Sequence, residues 1–349
     1  MKKVGIIGCG GIAQVHAWVL NSMENVELMA FCDTDKSKAE SLASLYNQNS
    51  QKSSIIICND WKTLCNSELD VIHICTPHYL HAPMAIEFLK SGKAVFVEKP
   101  CAINQEQFDE LKKEDSNHKG KLGFCFQNRY NETTQILDKL VKDGSLGKLI
   151  GGRAFVTWKR DDDYYNSSLW KGQLATEGGG ALINQSIHTL DLLLRYLGKP
   201  SAVKSSIANH HLKNPKIQVE DTVEAWLEFS DEKRACFYAS NAYVTDAPIL
   251  LELEGENGRV WMNGSEITVY TQGKKPQHFS VEQQNGIGKN YWGLGHKACI
   301  NDFYKCLDDG TEFQNNLAGI ENTFETVTKI YKESQSQYAN FIGEKNGRS

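Results

Sequence analysis

The first 126 residues alternate between short apolar runs and stretches in which apolar residues recur with helical spacing. Each short run is apolar on both faces, which is typical of parallel strands covered by helices on both sides. Repeated strand–helix units of this kind favour a doubly wound parallel sheet, an α/β Rossmann domain. The predicted strands are Val4–Ile7, Val26–Cys32, Ile55–Cys58, Val71–Cys75, Ala94–Val97 and Leu122–Phe126, and the predicted helices are Ile12–Met23, Lys36–Tyr46, Ala82–Leu89 and Gln105–Lys113.

The pattern changes after about residue 123, where strands begin to alternate instead of being apolar throughout. In Thr222–Phe229, residues of odd number are apolar and Glu224, Trp226 and Glu228 lie on the opposite face, as in a half-covered antiparallel sheet. A chain of 349 residues exceeds the size at which one core usually stops growing. We therefore expect a Rossmann domain over residues 1–122 and an α+β domain over residues 123–349. Its predicted helices are Asn131–Asp143, Tyr291–Leu307 and Leu317–Ser334.

The composition excludes several classes of protein. The net charge is −5, with 43 acidic and 38 basic residues and no Lys/Arg-rich run, so we expect neither a nucleic-acid partner nor a membrane surface. No apolar stretch is long enough to span a bilayer, and no signal peptide follows Met1. The ten cysteines form no Cys-x-x-Cys pair and lie mostly in apolar runs, which predicts reduced thiols and a cytoplasmic protein.

A glycine-rich segment follows the first strand and opens the first helix. Gly8, Gly10, Gly11, Ile12 and Ala13 lie in the pattern G-x-G-x-x-A. Gly8 permits a tight turn, Gly10 allows a pyrophosphate to approach the backbone, and the start of the helix supplies N–H donors and a positive dipole end. The strand–turn–helix context predicts that these residues bind a dinucleotide.

Asp33 ends the second strand, 25 residues after Gly8. A carboxylate at this place accepts hydrogen bonds from the adenosine ribose and repels a 2′-phosphate. The sequence therefore predicts NAD as the cofactor, with NADP as the alternative. The competing interpretation is that Asp33 or Asp35 only caps the next helix.

Four motifs resemble those of the glucose-fructose oxidoreductase/inositol dehydrogenase/rhizopine catabolism (Gfo/Idh/MocA) family across essentially the whole chain. They are the Gly8 pattern, Thr76-Pro77-x-x-x-His81, Glu98-Lys99-Pro100, and Gly178-Gly179-Gly180 followed by His188 and Asp191. The resemblance implies a second domain with a large open, mainly antiparallel sheet, which assembles a homodimer or homotetramer. It also implies NAD(P)-dependent oxidation of a secondary alcohol on a sugar, cyclitol or sugar nucleotide. Thr76, Pro77, His81, Trp170 and Lys171 are then expected to contact the cofactor.

Lys99 and Glu98 follow a buried strand at the carboxyl edge of the sheet, where ligands bind. We expect Lys99 to contact substrate and cofactor and to stabilise the alkoxide of the reacting alcohol. Glu98 is expected to position that ammonium or to contact the nicotinamide ribose. The competing interpretation is a surface Lys-Pro turn.

Asn184, His188 and Asp191 share one face of a helix predicted over Ala181–Leu197. We expect His188 to be the general base, with Asp191 either orienting it or serving the fold. Inositol dehydrogenases of this family carry Asp at the position of Asn184, and family members acting on sugar nucleotides can carry Asn. Asn184 cannot accept a proton, so its expected part is to hydrogen-bond the substrate or to align Lys99 in catalysis.

Two further segments are candidates for contacts. Gln127 begins the second domain and is expected either to bind substrate or to support the packing of the two domains. The aromatic and basic residues around Trp158, Tyr164 and Trp170 either stack on a sugar or form a cluster at a sheet edge. His78 and His81 have no nearby carboxylate or thiolate that completes a ligand set, so no metal is predicted.

The sequence thus predicts a dehydrogenase that passes hydride from a secondary alcohol to nicotinamide. Two alternatives stay open: a non-catalytic sensor of cofactor and sugar, and a glycoside hydrolase that uses NAD transiently.

Overall fold

The computed structural model describes residues 1–46, 55–209, 217–282 and 295–334. These residues form two compact units, each built from two separate stretches of chain. The first comprises described residues of Met1–Tyr130 and Gln284–Ile320, and the second those of Asn131–Gln283 and Glu321–Ser349. The domain boundary between residues 122 and 123 stays a prediction.

The first unit contains a six-stranded parallel sheet with the strand order β3-β2-β1-β4-β5-β6. This confirms the doubly wound Rossmann fold. The order reverses between β1 and β4, and ligands of such sheets bind at this switch point, at the carboxyl ends of the strands. The strands are β1 (Lys2–Ile7), β2 (Val26–Cys32), β3 (Ile56–Cys58), β4 (Val71–Ile74), β5 (Ala94–Val97) and β6 (Leu122–Phe124).

Four helices connect these strands, close to the predicted positions. They begin where polar or small residues precede an apolar periodicity; Asn104, for example, accepts a hydrogen bond from the Gln107 N–H and so caps the fourth helix. After β6 the chain forms a short 3₁₀ turn, Gln127–Tyr130. The helices are α1 (Gly11–Asn21), α2 (Lys36–Tyr46), α3 (His81–Lys90) and α4 (Gln105–Asp115).

The second unit contains an eight-stranded sheet with the order β14-β13-β12-β11-β7-β10-β9-β8. All neighbours pair antiparallel except β7 and β10, which confirms the mainly antiparallel sheet. The strands are β7 (Leu149–Thr157), β8 (Ala202–Ala208), β9 (Thr222–Glu228), β10 (Arg234–Ser240), β11 (Leu250–Gly255), β12 (Gly258–Asn263), β13 (Glu266–Thr271) and β14 (Gln277–Ser280). Its helices are α5 (Glu132–Lys142), α6 (Asp162–Asn166), α7 (Leu174–Glu177) and α8 (Ile187–Leu197).

This sheet has two unlike faces. In β9, Val223, Ala225 and Leu227 are buried, whereas Glu224 and Trp226 are exposed, as the alternation predicted. Tyr270 in β13 is also exposed and lies on the same face as Trp226. One face is therefore a core and the other is open.

Two helices follow late in the chain, α9 (Gly295–Asp309) and α10 (Leu317–Glu333). The predicted residues 291–294 of the first of these helices lie outside the described part of the chain. Phe303 and Tyr304 of α9 belong to the core of the first unit, and the Phe303 ring lies 5.1 Å from that of Phe96 in β5. The Rossmann sheet is thus covered in part by α9, a helix that follows all strands of the antiparallel sheet in the sequence.

No helix within the described residues is long and apolar enough to cross a membrane. All ten cysteines lie in the described part of the chain and none is in a disulfide, which confirms the predicted free thiols.

Candidate active site

The glycine-rich loop joins β1 to α1. Gly8 has φ +83°, and a Cβ on it would lie 2.6 Å from the Cys75 carbonyl oxygen at the end of β4, so only glycine fits there. Gly10 caps α1 with an extended backbone and has no side chain to accept hydrogen bonds from the first N–H groups of the helix. These groups are therefore available to an anion.

The space in front of α1 fits a pyrophosphate. A Cβ on Gly10 or Gly11 would meet no atom within 4 Å, and both residues are exposed. Ile12 is half-buried beside them, and Ala13 is fully buried against the sheet. A bound group can thus reach the N–H donors of the helix without moving the chain.

Asp33 is held beside this loop by its own hydrogen bonds. Its Oδ2 accepts a hydrogen bond from the Cys9 N–H at 2.8 Å, and its Oδ1 accepts one from the Asp35 N–H at 2.9 Å. The capping bonds of α2 come instead from Asp35, whose Oδ1 accepts from the N–H of Ser37 at 3.1 Å. The half-exposed Asp33 carboxylate is therefore placed at the loop and not used as the helix cap.

The segment after β4 is fixed by a buried histidine. His81 is 1% exposed; its Nδ1 lies 2.7 Å from the Pro100 carbonyl oxygen and its Nε2 lies 2.8 Å from that of Thr76. Burial lowers the pKa of His81. The ring thereby ties the Thr76-Pro77 turn to the turn after β5. The contact of Thr76, Pro77 and His81 with a cofactor stays a prediction.

Glu98 and Lys99 leave β5 at the carboxyl edge of the sheet. Glu98 is buried and Lys99 is half-buried, and the peptide bond between Lys99 and Pro100 is cis. His16 Nε2 lies 2.9 Å from Glu98 Oε1. Burial opposes ionisation of Glu98, but the hydrogen bond from His16 and nearby positive charge hold its pKa below the usual range. Glu98 is thus an anion next to Lys99.

A buried chain of hydrogen bonds continues away from Glu98. His16 Nδ1 lies 2.8 Å from His73 Nδ1, and His73 Nε2 lies 3.0 Å from the Tyr304 hydroxyl. Because an ionised carboxylate only accepts hydrogen bonds, His16 donates to Glu98 from Nε2. Burial and the neighbouring His16 lower the pKa of His73 well below its usual range.

Among the described residues, one group has three possible metal ligands close together: His16, Glu98 and Cys125, whose ligand atoms lie within 4.8 Å of one another. Burial raises the pKa of the Cys125 thiol, which disfavours the thiolate that a metal requires. His16 is moreover already hydrogen-bonded to Glu98. The residues do not fit a metal centre, and the expectation of no metal stays a prediction.

In the second unit the glycine triplet lets the backbone pass close to two other groups. A Cβ on Gly179 would collide with the Tyr331 hydroxyl, and a Cβ on Gly180 would collide with the Glu220 carbonyl oxygen. The Glu220 carboxylate accepts hydrogen bonds from the N–H groups of Gly180 and Leu182. These contacts hold the segment that carries Asn184.

The helix predicted over Ala181–Leu197 is not one regular α-helix, and that prediction was wrong in detail. Ala181–Gln185 form a π-helical turn, Ser186 interrupts it, and α8 begins at Ile187. Asn184 and His188 are half-buried in a stretch whose neighbours are buried. The side-chain Nδ2 of Asn184 donates to Glu177 Oε1 at 2.6 Å. Because the turn is wider than an α-helix, the predicted spacing on one α-helical face does not apply to Asn184.

Asp191 was expected either to orient His188 or to stabilise the fold, and its contacts support a structural role. Asp191 is 1% exposed, and its Oδ1 accepts a hydrogen bond from the Thr323 hydroxyl at 2.7 Å. This bond joins α8 to α10, so Asp191 has a structural part. The role of His188 as base stays a prediction.

The aromatic and basic segment before the triplet forms a cluster. The Arg160 guanidinium lies 5.0 Å from the Trp158 ring centre and pairs with Asp246 at 3.0 Å. Lys171 Nζ lies 4.0 Å from the Tyr164 ring centre, and the Trp170 carbonyl accepts a hydrogen bond from the Thr176 hydroxyl. These residues thus contact one another, and stacking of their rings on a sugar stays a prediction. Cofactor contact by Trp170 and Lys171 stays a prediction.

Gln127 lies in the 3₁₀ turn after β6 and belongs to the first unit, where it is 4% exposed. The Cys125 thiol approaches its Oε1 at 3.8 Å. A substrate contact of Gln127 stays a prediction.

Sequence reasoning missed His16, His73, Tyr304 and Glu177. A signal existed for His16, which follows the G-x-G-x-x-A pattern on the buried side of α1. Its partners are 57 and 82 residues away in the chain, so no local spacing reveals them. Glu177 directly precedes the glycine triplet, and nothing in its spacing marks it.

Fold and site together define a protein with a dinucleotide-binding Rossmann unit and an α+β unit that carries further polar groups. Residues 2–124 match the family model described as "Oxidoreductase family, NAD-binding Rossmann fold", and residues 134–261 match the "GFO/IDH/MocA C-terminal domain". The chain belongs to the Gfo/Idh/MocA oxidoreductase family. This confirms the predicted family and the predicted NAD-binding fold.

Individual relatives are more distant. The chain is 34% identical to D-glucoside 3-dehydrogenase of Escherichia coli (strain K12) over 60% of its length and 58% of that protein. It is 29% identical to glycosyl hydrolase family 109 protein 1 of Shewanella sp. (strain MR-4) over 52% of its length and 41% of that protein. The matched part thus spans about half the length of these relatives.

Among solved structures, the WlbA dehydrogenase of Bordetella pertussis, in complex with NADH and UDP-GlcNAcA, has a TM-score of 0.81. It is 22% identical, and the match covers 96% of this chain and 97% of that one. At this identity the similarity establishes the fold.

Proposed function

We propose that this protein is an NAD-dependent dehydrogenase that oxidises a secondary alcohol of a sugar, cyclitol or sugar nucleotide. Lys99 stabilises the alkoxide of the substrate, and His188 accepts the hydroxyl proton. The relationship to D-glucoside 3-dehydrogenase makes a ring hydroxyl of a glucoside the first substrate to test.

The placement of Lys99 carries this proposal. Lys99 follows β5 at the carboxyl edge of a doubly wound sheet, beside the buried anion Glu98. An ammonium at this edge can donate to an oxygen that gains negative charge during oxidation. The charge of Lys99 is one of the causes that lower the pKa of Glu98.

The residues of the first unit fit NAD. The N–H groups that follow Gly10 would hold the pyrophosphate, with Gly8, Gly10, Gly11 and Ile12 forming the loop. Asp33, already anchored by the Cys9 N–H, would accept from the adenosine ribose hydroxyls. When bound, NAD supplies the hydride acceptor for the oxidation.

His188 and Asn184 are assigned to substrate in the second unit. His188 lies in the first turn of α8, and an imidazole titrates near neutral pH, as a base for this reaction must. Asn184 is an amide and cannot take the proton, so its part is to bind a substrate hydroxyl.

Replacement of Lys99 tests the catalytic assignment. Lys99→Met removes the donor but keeps much of the apolar stem, so we expect kcat to fall about 10²–10³-fold or more while the Kd for NAD changes little. Lys90→Met is the control, because Lys90 is an exposed lysine of the same unit. Near-full kcat in the Lys99→Met protein would contradict the assignment.

The glycosyl hydrolase relative favours a second candidate, a glycoside hydrolase that oxidises and re-reduces its substrate. A panel of glucosides, cyclitols, aminosugars and sugar nucleotides separates the two. A dehydrogenase accumulates reduced cofactor in step with oxidised sugar. A hydrolase instead releases the aglycone without net reduced cofactor, and this result would overturn the proposed function.

We further propose a homodimer or homotetramer that assembles through the open face of the eight-stranded sheet. The exposed fractions of Trp226 and Tyr270 on this face are 44% and 36%. Exposed aromatic groups of this kind are typical of protein interfaces. The cytoplasmic location stays a prediction.

A further inference from the structure

Glu177 is a buried carboxylate for which the proposed reaction has no direct use. It ends α7, is 0% exposed, and lies immediately before the glycine triplet. Both of its oxygens accept hydrogen bonds: Oε2 from the Gly172 N–H at 2.5 Å and Oε1 from the Asn184 side chain at 2.6 Å. The carboxylate is thus fixed at two points, one of which is a predicted substrate residue.

The contact determines which way the Asn184 amide points. An ionised carboxylate only accepts hydrogen bonds, so the NH₂ group of Asn184 must face Glu177. The opposite orientation would place two oxygens at 2.6 Å. The Tyr164 hydroxyl lies 3.4 Å from the same Nδ2 and accepts from Gln185 Nε2 at 3.0 Å. Asn184 Oδ1 therefore points away from Glu177.

We propose that Glu177 is a positioning residue that holds the Asn184 amide so that its carbonyl oxygen accepts a hydrogen bond from a substrate hydroxyl. This inference rests on the proposed function, since it needs a substrate hydroxyl at Asn184. Glu177 supplies a fixed hydrogen-bond acceptor for the amide NH₂ group, and Asn184 supplies the acceptor for the substrate.

The pair also explains why residue 184 is Asn. An Asp there would bring a second carboxylate to within hydrogen-bond distance of Glu177 in a buried place. Two such groups cannot both ionise at low cost, and one would keep a proton at neutral pH. An amide at residue 184 donates to Glu177 and offers an acceptor to substrate without the cost of protonating a carboxylate.

Three variants test the pair: Glu177→Gln, Asn184→Asp and the double variant. In Glu177→Gln the new amide satisfies the Gly172 N–H with its oxygen and turns its NH₂ toward Asn184, which favours the reversed orientation of Asn184. We expect KM for the sugar to rise about tenfold or more, because the substrate hydroxyl then faces the NH₂ group of Asn184, which cannot accept its hydrogen bond. The Kd for NAD should not change. Glu256→Gln, an exposed carboxylate of the same unit, is the control.

The double variant restores a complementary pair. In Asn184→Asp alone, two carboxylates face each other, so the melting temperature should fall as pH rises from acid to neutral. In Glu177→Gln/Asn184→Asp, the new amide at position 177 donates to the new carboxylate at position 184, so the pH dependence should disappear and KM should return toward that of the parent. A merely structural role of Glu177 would not produce this recovery of KM.

The outcomes are distinguishable. A parent enzyme that oxidises a sugar with the same KM after Glu177→Gln overturns the inference and leaves the proposed function intact. A parent that oxidises no member of the sugar panel overturns the proposed function, and the inference with it, since the inference rests on that function. Additive melting temperatures in the double-variant cycle would overturn the pairing itself.

Discussion

Two carboxylates of the first unit, Asp33 and Glu98, lie near strand ends but have different partners. Asp33 is half-exposed and accepts from backbone N–H groups of Cys9 and Asp35. Glu98 is buried and accepts from the ring of His16. The first can meet a polar ligand in solvent, whereas the second has its charge balanced inside the protein. Neighbouring groups, and not residue type, therefore separate the half-exposed carboxylate from the buried one.

The predicted preference for NAD over NADP depends on the negative charge of Asp33. Asp33→Asn keeps the shape and an acceptor for the Cys9 N–H but removes the charge that repels a 2′-phosphate. We expect the ratio of Kd for NADP to Kd for NAD to fall about tenfold or more, since a hydrogen bond to a charged group is worth about 1.5–3 kcal/mol. Calorimetric titration with both nucleotides measures this ratio. Asp35→Asn is the control, and an unchanged ratio in Asp33→Asn would contradict the assignment.

At the scale of elements, a row of buried histidines joins α1, β4 and α9. His16 is on α1, His73 on β4, and His296 and Tyr304 on α9. Burial lowers the pKa of His296 to about 4, from an ordinary value of 6.5, and also lowers that of His73. The helix that completes the first unit is therefore attached by groups that must stay neutral.

Acid should weaken this attachment. In the unfolded chain His296 binds a proton as pH falls below about 6.5, whereas in the folded protein it does so only near 4. Between these values the unfolded state binds more protons, so the free energy of unfolding should fall with falling pH, by up to about 1.4 kcal/mol per pH unit for each such histidine. Below this range, loss of the Glu98 charge acts in the same direction.

Urea unfolding at several pH values between about 7 and 5 measures this slope. His296→Gln should reduce it, because the variant has no imidazole to titrate. His278→Gln, which changes an exposed histidine in β14, should leave the slope as it is. An equal slope in His296→Gln and the parent would contradict the explanation.

The elements differ in how far sequence predicted them. β2, β5 and α2 have the predicted bounds, because continuous apolar runs and helical spacing are local signals. The π-helical turn at Ala181–Gln185 was missed, since it depends on the Glu220 carboxylate, about 40 residues away, accepting from Gly180 and Leu182. The same reason applies to part of the site: Gly8, Asp33 and Lys99 are marked by motifs, whereas the partners of His16 are 57 and 82 residues away. The partners of Glu177 are near in the chain, but no motif marks them.

At the scale of the whole molecule, the open face of the eight-stranded sheet is the place where a second copy is proposed to bind. Trp226→Arg places a charge on this face, next to Cys236 and Lys204 on the neighbouring strands β10 and β8. We expect the protein to stay folded, because the side chain lies outside the core, and to become monomeric in light scattering. Glu224→Gln, an exposed residue on the same strand, is the milder control. A monomeric parent protein, or an unchanged assembly in Trp226→Arg, would contradict the proposed interface.

The placement of α9 sets an order of events during synthesis. Residues 1–130 leave the ribosome long before Phe303 and Tyr304 exist, yet these two side chains are part of the core around Phe96. The apolar surface around Phe96 therefore lacks the cover of α9 until the entire antiparallel sheet has been translated. A gene fragment that ends after β6 would yield a chain lacking that cover, and one that includes residue 309 would supply it.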